Sequence, residues 1–170
     1  MTATLVVLGG LPGTGKSTLA DALAADIGAA VFNKDRLEAS LWRDGITADQ
    51  GSWDAAEHLL TTLAGEQLRR GQSAILDTVA RRADSRAAWR ATAEEFGAPF
   101  RLIECVCSDQ DLHRRRLDGR TRGIPGWYEV SWEDVERVRS RAEPWPEERL
   151  VLDAAEPLAD NLAAARSYMA

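Results

Sequence analysis

Apolar residues recur along the chain with two different periods. Short, nearly continuous apolar runs such as Thr4–Leu8 and Phe100–Cys107 are typical of strands buried on both faces of a sheet. Between these runs lie longer segments whose apolar positions repeat every three to four residues, as amphipathic helices require. Because the two kinds of segment alternate, the pattern predicts an α/β fold in which helices cover both faces of a parallel sheet.

The boundaries of the predicted elements follow from turn residues and helix caps. Strands are predicted over Thr4–Leu8, Ala29–Asn33, Ser73–Asp77, Phe100–Cys107 and Leu150–Leu152. Helices are predicted over Ser17–Ala25, Asp35–Trp42, Trp53–Arg70, Ala83–Phe96, Asp109–Leu117 (capped by Ser108), Ser131–Ala142 and Pro157–Tyr168. The loop Asp118–Trp127, rich in Gly, Arg and Thr, is a candidate lid. A length of 170 residues suits one domain over residues 1–170.

The composition of the chain argues against several classes of protein. The chain has 27 acidic and 21 basic residues and a net charge of −6, which argues against non-specific attraction to nucleic-acid phosphates. No segment is long and apolar enough to cross a membrane, and the first residues lack a secretory signal pattern. Cys105 and Cys107 alternate along one predicted strand, a geometry poor for a disulfide. We therefore expect a cytoplasmic protein with reduced thiols.

The motif that carries most chemical information lies between the first strand and the first helix. Residues Gly10–Ser17 fit the pattern G-x-x-x-x-G-K-[ST], in which glycines let backbone N–H groups approach phosphate oxygens. The helix N-terminus adds partial positive charge, Lys16 would reach the β- and γ-phosphates, and Ser17 would bind Mg²⁺. The predicted nucleotide-binding residues are Gly10, Leu11, Pro12, Gly13, Thr14, Gly15, Lys16, Ser17 and Thr18.

Two carboxylates follow predicted strands and are expected at the same edge of the sheet. Asp35 comes just after the second strand, where it could accept the proton of a substrate hydroxyl or simply cap the next helix. Asp77 ends the third strand, where it could hold Mg²⁺ as a Walker-B-like residue or grip the acceptor substrate. The sequence leaves both alternatives open.

Arginines gather around the candidate lid. Helical spacing favours Arg116 and Arg120 projecting together, where guanidinium groups could neutralise charge on a transferred phosphoryl group. A solvated basic helix face is the alternative, which we favour for Arg115. His58 and His113 have no metal-ligand partner at useful spacing. Trp127, beside the lid, is a candidate wall of a substrate pocket.

With these residues placed, the chain resembles small P-loop kinases of the AAA-type ATP-binding group. This group includes polynucleotide kinase, chloramphenicol phosphotransferase and the zeta-toxin-like sugar kinases. The resemblance covers essentially the full length. It rests on the segments Gly9–Ala20, Asp35–Leu37, Ile75–Thr78, the arginine-bearing helix and loop, Glu143–Trp145 and Leu150–Asp153.

The resemblance implies a five-stranded parallel sheet in the order 2-3-1-4-5 and an arginine lid after the fourth strand. It also implies transfer of a phosphoryl group from ATP to a hydroxyl. Carried onto matching positions, it makes Lys16 the phosphate clamp, Ser17 the Mg²⁺ ligand and Asp35 the base. Arg116 and Arg120 become the lid arginines, and Asp77 the acidic residue near the acceptor or the metal.

The acceptor predicted in this way is a hydroxyl of a small molecule such as a sugar, nucleoside or antibiotic. A nucleic-acid 5′-hydroxyl kinase and an ATPase module acting with a protein partner are the alternatives. Polynucleotide kinases tend to carry an arginine a few residues beyond the base, whereas this chain has Glu38 there, which would repel phosphate. Nucleoside monophosphate kinases usually hold an acceptor phosphate with arginines on the helix after the second strand and after the third strand. Arg36, Arg81 and Arg82 of this chain leave that activity open as well. The predicted acceptor-site residues are Asp35, Arg36, Asp77, Arg82 and Trp127.

Overall fold

A five-stranded parallel sheet organises the chain, whose computed structural model describes residues 2–169. The strands are β1 (Leu5–Gly9), β2 (Ala30–Asn33), β3 (Ala74–Asp77), β4 (Phe100–Val106) and β5 (Leu150–Asp153). Their order is β2-β3-β1-β4-β5, and every neighbouring pair is parallel. The predicted fold class and strand order are confirmed.

Seven α-helices connect and cover these strands within the described residues. The helices are α1 (Lys16–Ile27), α2 (Lys34–Arg43), α3 (Ser52–Arg69), α4 (Ala83–Glu95), α5 (Gln110–Asp118), α6 (Trp132–Ser140) and α7 (Leu158–Met169), and a short 3₁₀ turn spans Ala48–Gln50. The cap of α5 is Asp109, whose side chain accepts a hydrogen bond from the Leu112 amide, so the prediction of Ser108 was wrong by one residue. No helix in the described range combines the length and apolar character needed to cross a bilayer.

Strand β1 lies at the centre of the core, and all five of its residues are buried. Leu5 and Val7 belong to one apolar cluster with residues of α3 and α4. Val6 and Leu8 belong to a second cluster with residues of α1 and α7. Because successive strand side chains point to opposite faces, a strand covered on both faces must be apolar throughout. This explains the continuous apolar run in the sequence.

The register of the sheet brings the functional segments to one edge. Leu8 pairs with Asp77 across β1 and β3, and Asn33 pairs with Asp77 across β2 and β3. The segment after β1, the start of α2 and the loop after β3 therefore meet where the strands end, which is where open α/β sheets bind their ligands.

One buried arginine fixes the loop after β3. Ala80 in this loop has φ of 53°, a conformation that costs a residue with a Cβ about 1–2 kcal/mol. Arg86, 1% exposed, donates to the Ala80 carbonyl at 2.9 Å, to the Pro144 carbonyl at 2.7 Å and to Glu147 at 2.9 Å. These bonds hold the loop against the segment that precedes β5.

The substitution Arg86→Met should therefore destabilise the fold strongly. It leaves two carbonyls and a carboxylate without their donor, and we expect the free energy of unfolding to fall by roughly 3 kcal/mol. Urea denaturation measures this. Arg90→Met, one turn later on α4, removes only a stacking contact 4.7 Å from the Phe100 ring and should cost at most about 1 kcal/mol. Equal losses in both variants would contradict the role of Arg86.

Candidate active site

The loop between β1 and α1 forms an anion cradle. Gly15, with φ of 78°, caps α1, so that the helix begins at Lys16. The Lys16 ammonium donates to the carbonyls of Gly10 and Leu11, both at 2.8 Å. Burial lowers the pKa of Lys16, and the carboxylate of Asp77 opposes this shift. Among residues 2–169, this nearly buried ammonium donates hydrogen bonds only to neutral carbonyls, which favours binding of an anion.

Gly10 is required by both its conformation and its surroundings. Its φ is +132°, and a Cβ at this position would lie 2.1 Å from the carbonyl oxygen of Cys105. Since that atom belongs to the backbone of β4, it cannot move aside without distorting the sheet. The first glycine of the motif therefore allows β4 and the loop to approach each other.

His113 of α5 binds the same loop through a hydrogen bond to its backbone. Its Nε2 lies 2.7 Å from the Pro12 carbonyl oxygen, and because a carbonyl only accepts, Nε2 carries the proton. The ring is 2% exposed and packs edge-on against Trp132 at 5.1 Å. Burial lowers the pKa of His113, which favours the neutral ring. No local pattern predicted this contact, because His113 is 101 residues from Pro12.

Asp77 joins three neighbouring elements. Its Oδ2 accepts from the Ser17 hydroxyl and from the Asn33 side-chain amide, both at 2.6 Å, and the residue is 3% exposed. Ser17 lies at the start of α1 and Asn33 at the end of β2. Asn33 was missed by the sequence analysis, although a polar residue ending the strand next to Asp77 was the available signal. Ser17 and Asp77 together offer a hydroxyl and a carboxylate, the oxygen ligands that Mg²⁺ prefers.

Asp35 lies in the first turn of α2 and is bound by the lid. Arg122 donates to its Oδ2 at 2.5 Å; the side chain of Asp35 is 25% exposed and that of Arg122 is 13% exposed. Arg122 is the second residue that the sequence analysis missed, because nothing local distinguished it from the other lid arginines. The structure brings Asp35 into one cavity of about 90 Å³, together with Lys16, Ser17, Asp77, Arg120 and Arg122.

Arg120 is the clearest sign that this cavity takes an anion. Its Nε and Nη2 are buried, and neither has a hydrogen-bond partner within residues 2–169. Burial lowers the pKa of Arg120, and the neighbouring charge of Arg122 adds to the shift. A buried donor without an acceptor is costly, so the guanidinium suits a ligand that supplies oxygen atoms. Phosphate oxygens fit this donor set.

A second and larger cavity continues from the first. Its volume is about 330 Å³, and Gly13, Gly15, Thr18 and Arg120 line both cavities. Arg116 lies in its wall and donates to the Ala154 carbonyl at 2.5 Å. Helix α5 ends at Asp118, so Arg120 reaches this wall from the lid and not through helical spacing, which corrects the reason given for pairing it with Arg116.

Three predicted acceptor residues lie elsewhere. Arg36 is exposed. Arg82 pairs with Asp84 and, at 2.6 Å, with Asp54, beside a separate hollow between α3 and α4. Trp127 stacks on Trp42 of α2 with ring centroids 4.5 Å apart. The structure does not bring these three side chains into the cavity of Asp35.

The argument drawn from Glu38 was wrong. Glu38 is 3% exposed, pairs with the buried Lys34 and accepts from Ser52 at 2.7 Å. Helical periodicity turns it inward, where its charge is matched, so it does not repel a ligand phosphate. The charge argument against a nucleic-acid acceptor then rests on the net charge alone.

Comparison with known proteins agrees with this geometry. A family model described as an AAA domain matches residues 5–145. The chain belongs to this AAA domain family. No curated protein matches the sequence significantly.

Several solved structures of similar fold are described as kinases. A candidate kinase from Chloroflexus aurantiacus is 25% identical, with a TM-score of 0.74 and 99% of each chain covered. A gluconokinase from Sinorhizobium meliloti is 19% identical, with a TM-score of 0.68, covering 99% of this chain and 95% of that one. The APS kinase of Mycobacterium tuberculosis, bound to AMPPNP and APS, is 20% identical, with a TM-score of 0.65 and coverages of 99% and 98%. The family and the fold confirm the predicted resemblance to the small P-loop kinases of the AAA-type group.

The substitution Gly10→Ala should disable the cradle. The new Cβ would overlap the Cys105 carbonyl, so the loop must shift, and we expect the affinity for Mg-AMPPNP to fall at least about tenfold. Calorimetric titration measures it. Gly65→Ala on α3 adds a Cβ with contacts of 3.5 Å and more and serves as the control. Unchanged affinity in Gly10→Ala would contradict the tight fit of loop and strand.

His113 should make stability depend on pH near neutrality. Because burial lowers its pKa in the folded state, the unfolded chain binds a proton that the folded chain does not. The free energy of unfolding should therefore fall as the pH drops through about 6.5, by at most about 1.4 kcal/mol per unit from this group. Urea denaturation between pH 5.5 and 7.5 should show a shallower slope for His113→Gln. The exposed His58 gives the control, His58→Gln, and equal slopes in all three proteins would refute the assignment.

Proposed function

We propose that the protein transfers the γ-phosphate of ATP to a hydroxyl group of a small molecule. The observation that carries this proposal is the cavity lined by Asp35, Asp77, Lys16 and Arg120, in which two buried donors of Arg120 have no partner in the described part of the chain. Two carboxylates beside an anion cradle provide a proton acceptor and a metal ligand next to a phosphate site. Phosphoryl transfer to a hydroxyl requires these groups.

In this proposal, ATP occupies the two connected cavities. Its phosphates would lie on the loop of residues 10–17, with Lys16 and Arg120 supplying positive charge to their oxygens. The 330 Å³ cavity between Gly13, Arg116, Leu152 and Asn161 has room for the nucleoside. AMPPNP bound to the M. tuberculosis APS kinase supports ATP as the donor.

Ser17 and Asp77 would hold Mg²⁺, their hydroxyl and carboxylate oxygens being 2.6 Å apart. When bound, Mg²⁺ would neutralise charge on the phosphate oxygens. A short bond between the two side chains positions both oxygens before the metal binds.

Asp35 would act as the proton acceptor. As the acceptor oxygen bonds to the γ-phosphorus, its proton passes to the Asp35 carboxylate, while the bond from phosphorus to the bridging oxygen breaks and ADP leaves. Arg122, at 2.5 Å from Asp35, would keep this carboxylate beside the loop. Arg120 and Arg116 would stabilise the phosphate charge during transfer, and we expect the reaction to occur in the cytoplasm.

The substitution Asp35→Asn tests the assignment. The amide cannot take the proton, so kcat should fall by about 10²–10⁴-fold while the affinity for Mg-ATP stays within about twofold. The measurement is transfer of labelled γ-phosphate to pooled small-molecule acceptors, with a 5′-hydroxyl oligonucleotide in a parallel arm and Lys16→Ala as the blank. Asp44→Asn, at the exposed end of α2, is the matched control.

Full kcat in Asp35→Asn would remove Asp35 from its role. Label on the oligonucleotide would replace the small-molecule acceptor with a nucleic-acid end. Lack of label on any acceptor, with ATP still bound, would contradict phosphoryl transfer and favour an ATPase that acts with a protein partner.

A further inference from the structure

We propose that the ion pair between Arg122 and Asp35 is a latch: it holds the base until an acceptor hydroxyl displaces the guanidinium, and it thereby limits transfer of the γ-phosphate to water. The latch regulates the same site and therefore rests on the proposed function. Three features of the site carry it, namely the pairing of Asp35, the size of the cavity around the pair, and the attachment of the lid.

Arg122 occupies one of the two oxygens of Asp35. Its Nη1 lies 2.5 Å from Oδ2 of Asp35, and within residues 2–169 this is the one hydrogen bond that the Asp35 side chain makes. Both residues line the cavity that contains Lys16 and Ser17, so the pair lies inside the site. The side chain of Arg122 is only 13% exposed, and a charge-assisted bond shielded from water is stronger than one at the surface. A hydroxyl reaches Oδ2 only by taking the place of the guanidinium.

The cavity leaves little room for the reacting groups while Arg122 stays on Asp35. Its volume is about 90 Å³, which is about three times the volume that one water molecule takes in the liquid. The reaction requires the γ-phosphate and an attacking oxygen within about 3–3.5 Å of its phosphorus. Movement of Arg122 away from Asp35 would enlarge the space beside the base, which is where the acceptor oxygen must lie.

ATP alone does not require the guanidinium of Arg122. Phosphate oxygens on the loop would meet the ammonium of Lys16 and two buried donors of Arg120, which have no partner in the described part of the chain. Asp35, by contrast, would lose its hydrogen-bond donor if Arg122 turned to the phosphates. We therefore expect the pair to persist when ATP binds and to break when an acceptor hydroxyl replaces the guanidinium.

Breaking the pair gives Arg122 a second anionic partner in exchange for the first. Arg122 lies close to Arg120, whose pKa is lowered by burial and by the neighbouring charge of Arg122. The freed guanidinium is thus near the phosphates that Arg120 would bind. It loses a charge-assisted bond to Asp35 and gains one to a phosphoryl oxygen, where it neutralises charge during transfer.

The side chain of Arg122 can move without detaching the lid. Trp127 stacks on Trp42 with ring centroids 4.5 Å apart and so fixes the lid on α2 beyond this point. Gly123, between Arg122 and this anchor, is exposed and has φ of 59°. A Cβ on it would meet no atom of the described residues within 4 Å. Because the backbone next to Arg122 is free of packing here, opening the latch is a local movement.

Water is the competing acceptor that the latch excludes. Its oxygen would bond to the γ-phosphorus, its proton would pass to Asp35, and the bond from phosphorus to the bridging oxygen would break, which releases ADP and inorganic phosphate. An acceptor with several contacts to the site can displace Arg122 from Asp35, whereas a single water molecule has only its own hydrogen bonds with which to do so.

The test is hydrolysis of Mg-ATP without an acceptor, measured as release of inorganic phosphate. Arg122→Gln removes the charge that holds Oδ2, so we expect kcat for hydrolysis to rise at least about tenfold, a part of the 10²–10⁴-fold that a positioned base contributes. Arg122→Lys keeps a charge and should give a smaller rise. The double variant Arg122→Gln, Asp35→Asn should hydrolyse ATP no faster than Asp35→Asn. Arg115→Gln, on the exposed side of α5, is the matched control and should equal the wild type.

Titration with Mg-AMPPNP by calorimetry separates the latch from a role in binding the nucleotide. The affinity of Arg122→Gln should stay within about twofold of the wild type, whereas a loss of about tenfold or more would show that Arg122 leaves Asp35 when the nucleotide binds and would overturn the latch. Hydrolysis by Arg122→Gln at or below the wild-type rate would overturn it too. Thermal unfolding checks each variant, and if Arg122→Gln melts below the assay temperature, the smaller rise expected for Arg122→Lys decides.

Failure of the latch and failure of the proposed function give different results. Label that passes to a small acceptor and depends on Asp35, together with unchanged hydrolysis in Arg122→Gln, would refute the latch and leave phosphoryl transfer standing. Faster hydrolysis in Arg122→Gln without transfer to any acceptor by any variant would instead contradict the proposed function, and the latch with it, because water would then be the substrate.

Discussion

The carboxylate of Asp77 connects the parts of the site that must not move relative to one another. One of its oxygens accepts from Ser17 at the start of α1 and from Asn33 at the end of β2, while Asp77 itself ends β3. Asn33 also caps α2, since its Oδ1 accepts from the amide of Arg36 at 3.0 Å. The orientation of the helix that carries Asp35 is thus coupled to the phosphate loop through two side chains. Asp77 is buried, whereas Ser17 is exposed and Asn33 half-buried, so the loss of either donor weakens the hydrogen bonding of a carboxylate that water reaches poorly.

The charge of the site differs in sign from that of the whole chain. The protein has a net charge of −6, yet Lys16, Arg120 and Arg122 line a cavity in which the acidic residues are Asp35 and Asp77. The buried nitrogens of Arg120 have no partner in the described residues. Local electrostatics therefore favours an anionic ligand, and the acidic remainder of the surface limits non-specific attraction of larger polyanions.

The lid lies along α2 through several independent contacts. Arg122 binds Asp35 near the start of the helix, and Arg43 near its end donates to the Pro125 carbonyl at 2.7 Å. Trp127 stacks on Trp42 between them. Gly126 adopts a φ of +78° where the lid passes Arg43, a conformation that favours glycine. These contacts explain why Trp127 serves to attach the lid and does not line the cavity of Asp35.

The sequence alone determined the sheet, its helices and the nature of the phosphate loop. A short apolar run that ends at turn residues, as that of β1 does, indicates a strand buried on both faces, and the spacing of Gly10, Gly15 and Lys16 is local enough to specify a phosphate cradle. Tertiary structure decided what depends on residues far apart in the chain. The bond of Arg122 to Asp35 spans 87 residues and that of His113 to Pro12 spans 101, and no local pattern encodes either. That the charges of Glu38 and Arg82 are neutralised was likewise decided by packing, since a charge is matched only by the side chains that the fold places around it.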